Sequence, residues 1–378
     1  VSAPPQEELR PARAPAPGRA SYGRVVRVGG DRWQASWRVP LRAWAVALLA
    51  LLVLALLVVV DLARGDYEVS AADTVRALLG GGDAGSAFIV RELRLPQTTV
   101  AVLVGAALGL AGALTQTFAR NPLASPDILG VTEGAAVGAV SVIVLSGATG
   151  YGAGLVSGPL QELGLPLAAF AGGMVTATVL YVLSWRRGID GQRLVLIGIG
   201  IGAFLSAATS WLLVRARIQD AASAQVWLNG SLNARGWEQA RPLLVTLVVL
   251  VPLALVLVHS LNALQLGDDS ARGLGVRLQT TQLLVLVTAV GLAAVAVSAV
   301  GPLEFVALVV PQIGLRLTGG SRPPLVVSMV LGAVLVVGAD VVTRVVLPFS
   351  IPAGIVTAAL GAPYLIWLLL RAKRKVTA

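Results

Sequence analysis

From Ala43 onward the chain alternates long apolar runs with short polar breaks. A helix needs about 20 apolar residues to cross the hydrocarbon core of a bilayer. Backbone amides in lipid must find their partners inside the segment, so runs of this kind fold as helices. The candidate spans are 44–60, 97–117, 128–146, 165–185, 194–214, 240–259, 281–300, 302–317, 324–340 and 351–370. Glu133 sits near the start of the third, and the eighth is short, with Glu304 and Pro311 inside it. Nine or eleven crossings also fit, and about ten is the expectation. The expected fold is all-α, a polytopic membrane helix bundle.

Composition agrees: 56% of residues are hydrophobic, 13% are charged, and mean hydropathy is +0.82. A soluble domain carries roughly 25% charged residues. Cysteine is absent and His259 is the one histidine, which excludes disulfides, thiolate metal sites, imidazole clusters and cysteine nucleophiles. An HExxH motif is excluded with them, so a membrane-embedded enzyme has no site. The only lysines are Lys373 and Lys375, so no phosphate-binding loop of the form GxxxxGK[ST] exists here. Work driven by ATP requires another subunit to bind the nucleotide and its magnesium. No cofactor is expected on this chain.

Residues 1–42 hold eight arginines and Pro4, Pro5, Pro11, Pro15 and Pro17 without an apolar period, which predicts a disordered basic tail. The tail lacks the short apolar core of a secretory signal. Residues 43–372 form the expected transmembrane domain and 373–378 a C-terminal tail. With the N-terminus in the cytoplasm, the tail, Arg120, Arg186, Arg187, Arg193 and the Arg371–Lys375 cluster all fall on the inner side. Arg64, Arg91, Arg94, Arg215, Arg235 and Arg344 are among the fewer outer ones. The positive-inside rule therefore puts both termini in the cytoplasm. The net charge of +10 is read as topology, and no nucleic-acid partner is expected.

Small residues recur at helix-packing spacing in Gly105/Gly109, Gly130/Gly134/Gly138 and Gly198/Gly202, and they predict close helix contacts. Between the sixth and seventh spans, Asp268 and Asp269 precede Gly273 and Gly275. Acidic residues favour a helix's first turn and glycine its end, so a short surface helix is expected there. Asn121 and Pro122 mark a turn. Glu133, Glu304 and Asp340 are acids near or within spans, where ionisable groups suggest function.

Several segments carry a family resemblance. They are RLP at 94–96, GAALGLAGALTQTFARNPLASPDILGVTEGAAVGAV at 105–140, WLNGSL at 227–232, LGDDSARGLGVRL at 266–278, GPLEFVALVVPQIGLRL at 301–317, ADVVTR at 339–344 and IPAGIVTAALGAPYLIWLL at 351–369. In this order they resemble the FecCD/BtuC permeases, the membrane subunits of type II ABC importers for ferric siderophores, haem and cobalamin. The resemblance implies a BtuC-like bundle of ten helices in the bacterial cytoplasmic membrane. It also implies a second permease subunit, two ABC ATPase subunits and an extracytoplasmic substrate-binding protein. Ferric siderophore is the expected cargo, with haem or cobalamin as alternatives. An ion-coupled secondary carrier is the competing class, but no inverted repeat with paired broken helices is evident.

The resemblance also assigns sites. A coupling helix at about 264–278, with Leu266, Gly267, Asp268, Asp269, Ala271, Arg272, Gly273, Leu274 and Gly275, would sit on an ATPase. Arg94 and Arg344 would dock the binding protein, where interfacial snorkelling is the plainer reading of the same residues. Gln97 stands where the family often has the final arginine of RLPR, and Arg91 would substitute if its segment is helical. Asn121, Pro122, Leu123, Gly191 and Gln192 would form the cytoplasmic gate.

Overall fold

The computed structural model describes residues 24–30, 33–39, 41–65, 67, 69–145, 160–185, 191–346 and 351–376. Its helices are α1 (Leu41–Ala63), α2 (Ala71–Leu78), α3 (Ala84–Phe88), α4 (Leu95–Ala119), α5 (Val131–Leu145), α6 (Leu160–Ser184) and α7 (Gly191–Arg215). They continue with α8 (Ile218–Leu228), α9 (Trp237–Leu264), α10 (Asp268–Gly273), α11 (Leu278–Val300), α12 (Val306–Thr318), α13 (Leu325–Val341) and α14 (Ala353–Val376). A π-helical turn, Ile89–Arg94, joins α3 to α4, and a second, Val342–Val346, extends α13.

Among the described residues, 7 helices are long and apolar enough to cross a membrane, and three shorter apolar helices, Val131–Leu145, Val306–Thr318 and Ala353–Leu368, fill the remaining expected positions. The eighth span starts at Val306, later than expected. Gly301, at φ 81°, ends α11, and the next four residues run outside any helix.

Both ends of the chain carry regular secondary structure. Part of the 1–42 tail is ordered: β1 (Arg24–Gly30) and β2 (Trp33–Val39) pair antiparallel, with Val28 opposite Ala35. Valine and tryptophan favour strands, and the adjacent Gly29 and Gly30 lead into the connection. Residues 1–23 lie outside the described residues, as do Arg186, Arg187 and residues 377–378. At the other end α14 runs to Val376, so most of the 373–378 tail continues a helix.

The bundle is built around α4. Of the most apolar window of Ala84–Ala119, 78% is buried, against 11% for α1. The glycines explain how neighbours come so close. A Cβ on Gly105 would stand 2.3 Å from the Gly332 carbonyl oxygen of α13, and one on Gly112 would stand 1.8 Å from the Ala307 oxygen of α12. Such ridges let backbones touch and maximise packing where hydrocarbon offers no hydrophobic drive.

Contacts define two ends. At one, Asp61 of α1, Thr98 of α4 and Asp340 of α13 meet. At the other, Arg42 donates to the Leu317 carbonyl of α12 (2.7 Å), and Arg120 meets Asp268. These are called the Asp61 end and the Asp268 end.

Candidate functional site

At the Asp268 end, α10 has the form its residues predict. Gly267, at φ 101°, turns the chain out of α9, and Asp268 and Asp269 occupy the first turn. Ala271 is fully buried against the bundle, whereas Leu266 and Leu274 are 66% and 65% exposed on either side of the helix. Arg120, beyond the end of α4, pairs with Asp268 at 2.5 Å, and Arg272 pairs with Asp269 at 2.8 Å. Gly273 and Gly275 have open space around them. A cleft of about 380 Å³ lies beside the helix, lined in part by Asp268, Arg272, Arg277 and Gln279. Two solvent-facing leucines flanking an acidic turn form a surface suited to a protein partner.

The residues expected to form a gate lie at the same end and are brought together. Arg120 adopts a left-handed conformation (φ 50°) and stops α4, and Asn121 Oδ1 accepts from the Leu123 amide at 2.9 Å. Gly191 opens α7 so close to α4 that a Cβ would stand 2.4 Å from the Ala119 carbonyl oxygen. Pro122 is exposed beside this contact, and Gln192 follows Gly191 in the first turn of α7.

Three separate sequence blocks converge within the bundle. Ser231 N donates to the Val300 carbonyl (2.8 Å), and Gly354 N donates to the Gly230 carbonyl (3.0 Å). A Cβ on Gly230 would stand 1.9 Å from the Pro302 oxygen. WLNGSL, GPLEF and IPAGI thus form one backbone knot linking α8, α11, α12 and α14. Phe305, left-handed at φ 66°, lies against Gly361, where a Cβ would stand 2.1 Å from the Phe305 Cβ.

The arginines at the Asp61 end make contacts within the chain. Arg94 is only 8% exposed and turns inward: Nη1 donates to the Leu62 carbonyl (2.9 Å) and Nη2 to the Tyr67 carbonyl (2.5 Å). It holds the end of α1, whose last carbonyls have no partner within the helix. Arg91 lies in a helical segment, as its expected role required, but its Nε donates to the Ala77 carbonyl of α2 at 2.5 Å. Arg344 pairs with Asp340, with the two side chains 16% and 1% exposed. The physical reason is shared. In a low-dielectric setting a guanidinium gains from a carbonyl or carboxylate within reach. Gln97 also has a local task, since its Nε2 lies 3.5 Å from Asp340 Oδ2.

The model of the FecCD transport family matches residues 51–371. The chain belongs to the FecCD transport family. The ferric enterobactin transport system permease protein of Escherichia coli (strain K12) is 38% identical over 316 residues, covering 83% of this chain and 92% of that protein. The achromobactin transport system permease protein of Dickeya dadantii (strain 3937) is 40% identical over 328 residues, covering 86% and 91%. Among solved structures, an inward-facing metal-chelate type ABC transporter superposes with a TM-score of 0.75 at 28% identity, covering 86% of this chain and 99% of that one. This FecCD protein is a permease subunit of an ABC importer, a non-catalytic transmembrane component.

Sequence reasoning missed several features of the FecCD permease. Asp61 lies just past the first expected span, 44–60, yet it is 1% exposed. Helix α2 also went unnoticed, although Ser70 and Asp73 announce it: Ser70 Oγ accepts from the Asp73 amide at 3.1 Å. Asp127, in the turn before α5, accepts from Thr132 at 2.7 Å while its Oδ2 is sealed from solvent. The residue as a whole keeps partial exposure. Burial pushes its carboxyl up to about 6; the Thr132 hydroxyl opposes this, and nearby Glu304 and Glu133 add to it. Two of the three acids picked out from sequence, Glu133 and Glu304, therefore share one neighbourhood with Asp127.

Proposed function

We propose that this permease carries a ferric chelate of siderophore type across the bacterial cytoplasmic membrane. In this reading it pairs with a second permease subunit and is driven by two ABC ATPases, which hold the ATP and magnesium. Relatives named for ferric enterobactin, achromobactin, Fe(3+)-citrate and iron(3+)-hydroxamate transport support the cargo. The orientation follows from charge: both termini and the Asp268 end face the cytoplasm. The observation that carries the assembly is α10, an acidic turn flanked by the exposed Leu266 and Leu274 at the same end as the gate turns. An ATPase groove covering these leucines gains about 1.5–3 kcal/mol for each one fully buried, and the Gly191–Ala119 contact lies on the adjacent helices. The opposite, Asp61 end receives the extracytoplasmic binding protein, with Arg94 and Arg91 supporting that surface from beneath.

The assembly is tested by copurification. Leu266→Asp with Leu274→Asp is expected to leave the permease folded and to abolish ATPase recovery; normal recovery sinks the coupling role of α10. The cargo is tested by uptake of labelled ferric siderophore, haem and cobalamin into proteoliposomes holding the intact complex. Preference for haem or cobalamin replaces the ferric-siderophore reading.

A further inference from the structure

The register of the β1–β2 hairpin sorts its residues onto two unlike faces. Directly paired residues of antiparallel strands share a side, and sides alternate along each strand. Val26 pairs with Trp37, Val28 with Ala35 and Gly30 with Trp33. One face therefore carries Val26, Val28, Trp33, Ala35, Trp37 and Val39, with Arg24 at its edge opposite Val39. The other face carries Arg27, Gln34, Ser36 and Arg38, with Val25 and Gly29 among them. Neither strand holds an acidic residue.

A two-stranded sheet is marginal on its own in water, and an apolar face on it needs a cover. Among the described residues, no helix packs extensively on either strand. The chain itself decides what lies nearby. Only Pro40 separates Val39 from α1, and Arg42 ties the start of that helix to the Leu317 carbonyl at the Asp268 end. Leu41 and Trp44, in the first turn of α1, are 61% and 57% exposed. Helix α1 is the least buried of the long apolar helices, so a lipid-facing surface begins where the hairpin ends.

Tryptophan concentrates at the membrane–water interface. Arginines are drawn to anionic headgroups within a Debye length, about 8 Å at physiological salt. We propose that the hairpin lies on the cytoplasmic leaflet, with its Trp33–Trp37 face in the headgroup zone and its arginines held by anionic lipid. The choice of leaflet rests on the orientation proposed above, whereas the contact with lipid does not. The ATPase is the competing cover, but a one-residue connection keeps the hairpin at the bilayer surface, where lipid is always present. The hairpin then fixes the depth of α1, the long helix that the bundle itself grips least.

The test uses the whole chain in lipid nanodiscs. Because the chain has no cysteine, one introduced thiol can carry a fluorophore. Val28→Cys and Ala35→Cys label the apolar face, and Ser36→Cys labels the other. The discs hold phosphatidylcholine alone, or equal parts phosphatidylcholine and phosphatidylglycerol, each with a quencher-bearing lipid. Labels on the apolar face should be quenched several-fold more than the label on the other face, and more strongly in the anionic discs. Arg24→Gln, Arg27→Gln and Arg38→Gln together should remove the dependence on phosphatidylglycerol. Equal quenching on the two faces, or in the two kinds of disc, overturns the proposal. So does an apolar-face label that is shielded only once the ATPase is added, because the face then belongs to that protein. An error of leaflet shows separately. In sealed vesicles a membrane-impermeant thiol reagent reaches Ser36→Cys from one side only, and that side reports the orientation whatever the quenching.

Discussion

Two ion pairs, one at each end of the bundle, join the same kinds of group and do different work. Arg344 and Asp340 have side chains 16% and 1% exposed, while Arg120 and Asp268 are 44% and 43% exposed. The first pair lies in a network with Gln97, Thr98 and Asp61 that ties α1, α4 and α13 together. The second stands in solvent beside α10. A buried pair lacking one partner leaves an uncompensated charge, whereas an exposed pair exchanges its partner for water. The Asp61 end is accordingly a structural clamp, and the Asp268 end keeps its charged and apolar groups available to another protein.

The largest effect is expected where the clamp is broken. Arg344→Ala leaves Asp340 facing Asp61 without its counter-ion and should destabilise the permease by about 3–5 kcal/mol. Thermal unfolding in detergent measures it. Because the site is sealed, raised salt should change the loss little. A loss under about 1 kcal/mol, or one that salt removes, would show that water reaches the pair and that the two ends are alike.

The contrast between the ends was only half legible in the sequence. Apolar runs of fixed length fix where helices cross, so all ten positions could be read. The Asp268–Asp269 start and the Gly273 and Gly275 stops gave α10, because those residues act on the backbone next to them. The direction of Arg94 and Arg344 was hidden. An arginine at a span end has the same local sequence whether it snorkels, docks a partner or bonds a carbonyl 32 residues away, as Arg94 does to Leu62. Gln97 stood out as a departure from the family pattern, but its task beside Asp340 depends on a contact across 243 positions. The hairpin at Arg24–Val39 was masked by prolines and arginines that made the whole tail resemble a disordered segment.

A smaller loss is expected at Arg94. Arg94→Ala leaves the Leu62 and Tyr67 carbonyls without a charged donor, which costs about 1.5–3 kcal/mol. Limited proteolysis at the α1–α2 connection should accelerate in step, and Arg94→Lys should rescue only part because a single ammonium lacks the guanidinium fork. If Arg94→Ala keeps wild-type stability and instead loses binding-protein affinity, the inward reading fails and docking is restored.

A sealed carboxyl oxygen also lies away from the Asp61 end, on Asp127 in the turn before α5. Its folded carboxyl is raised to about 6 from the ordinary 3.8. The folded state holds this proton more tightly than the unfolded chain, so the associated stability is fully present below pH 3.8 and is lost as pH rises through about 6. Asp127→Asn should flatten melting temperature against pH across that window while keeping the Thr132 hydrogen bond. An unchanged pH profile would show that the carboxyl is hydrated.

The smallest effect is expected at the exposed pair, and it decides whether the comparison is one of kind or only of degree. Arg120 is held left-handed just past α4, and its guanidinium reaches α10 from outside the packed bundle. Both side chains remain more than two-fifths exposed, so ionic strength screens the attraction and freezing two side chains opposes it. A double-mutant cycle with Arg120→Ala and Asp268→Ala should return a coupling of about 0.2–1 kcal/mol, shrinking further at high salt. The single mutants should unfold near the wild type, because Ala271, and not the ion pair, anchors α10 in the bundle. A coupling above 2 kcal/mol that resists salt would mean that the Asp268 end is clamped as firmly as the other. In that case α10 moves as one body with α4, and a push on the helix reaches the turn at Asn121, the proposed gate, through Arg120 directly.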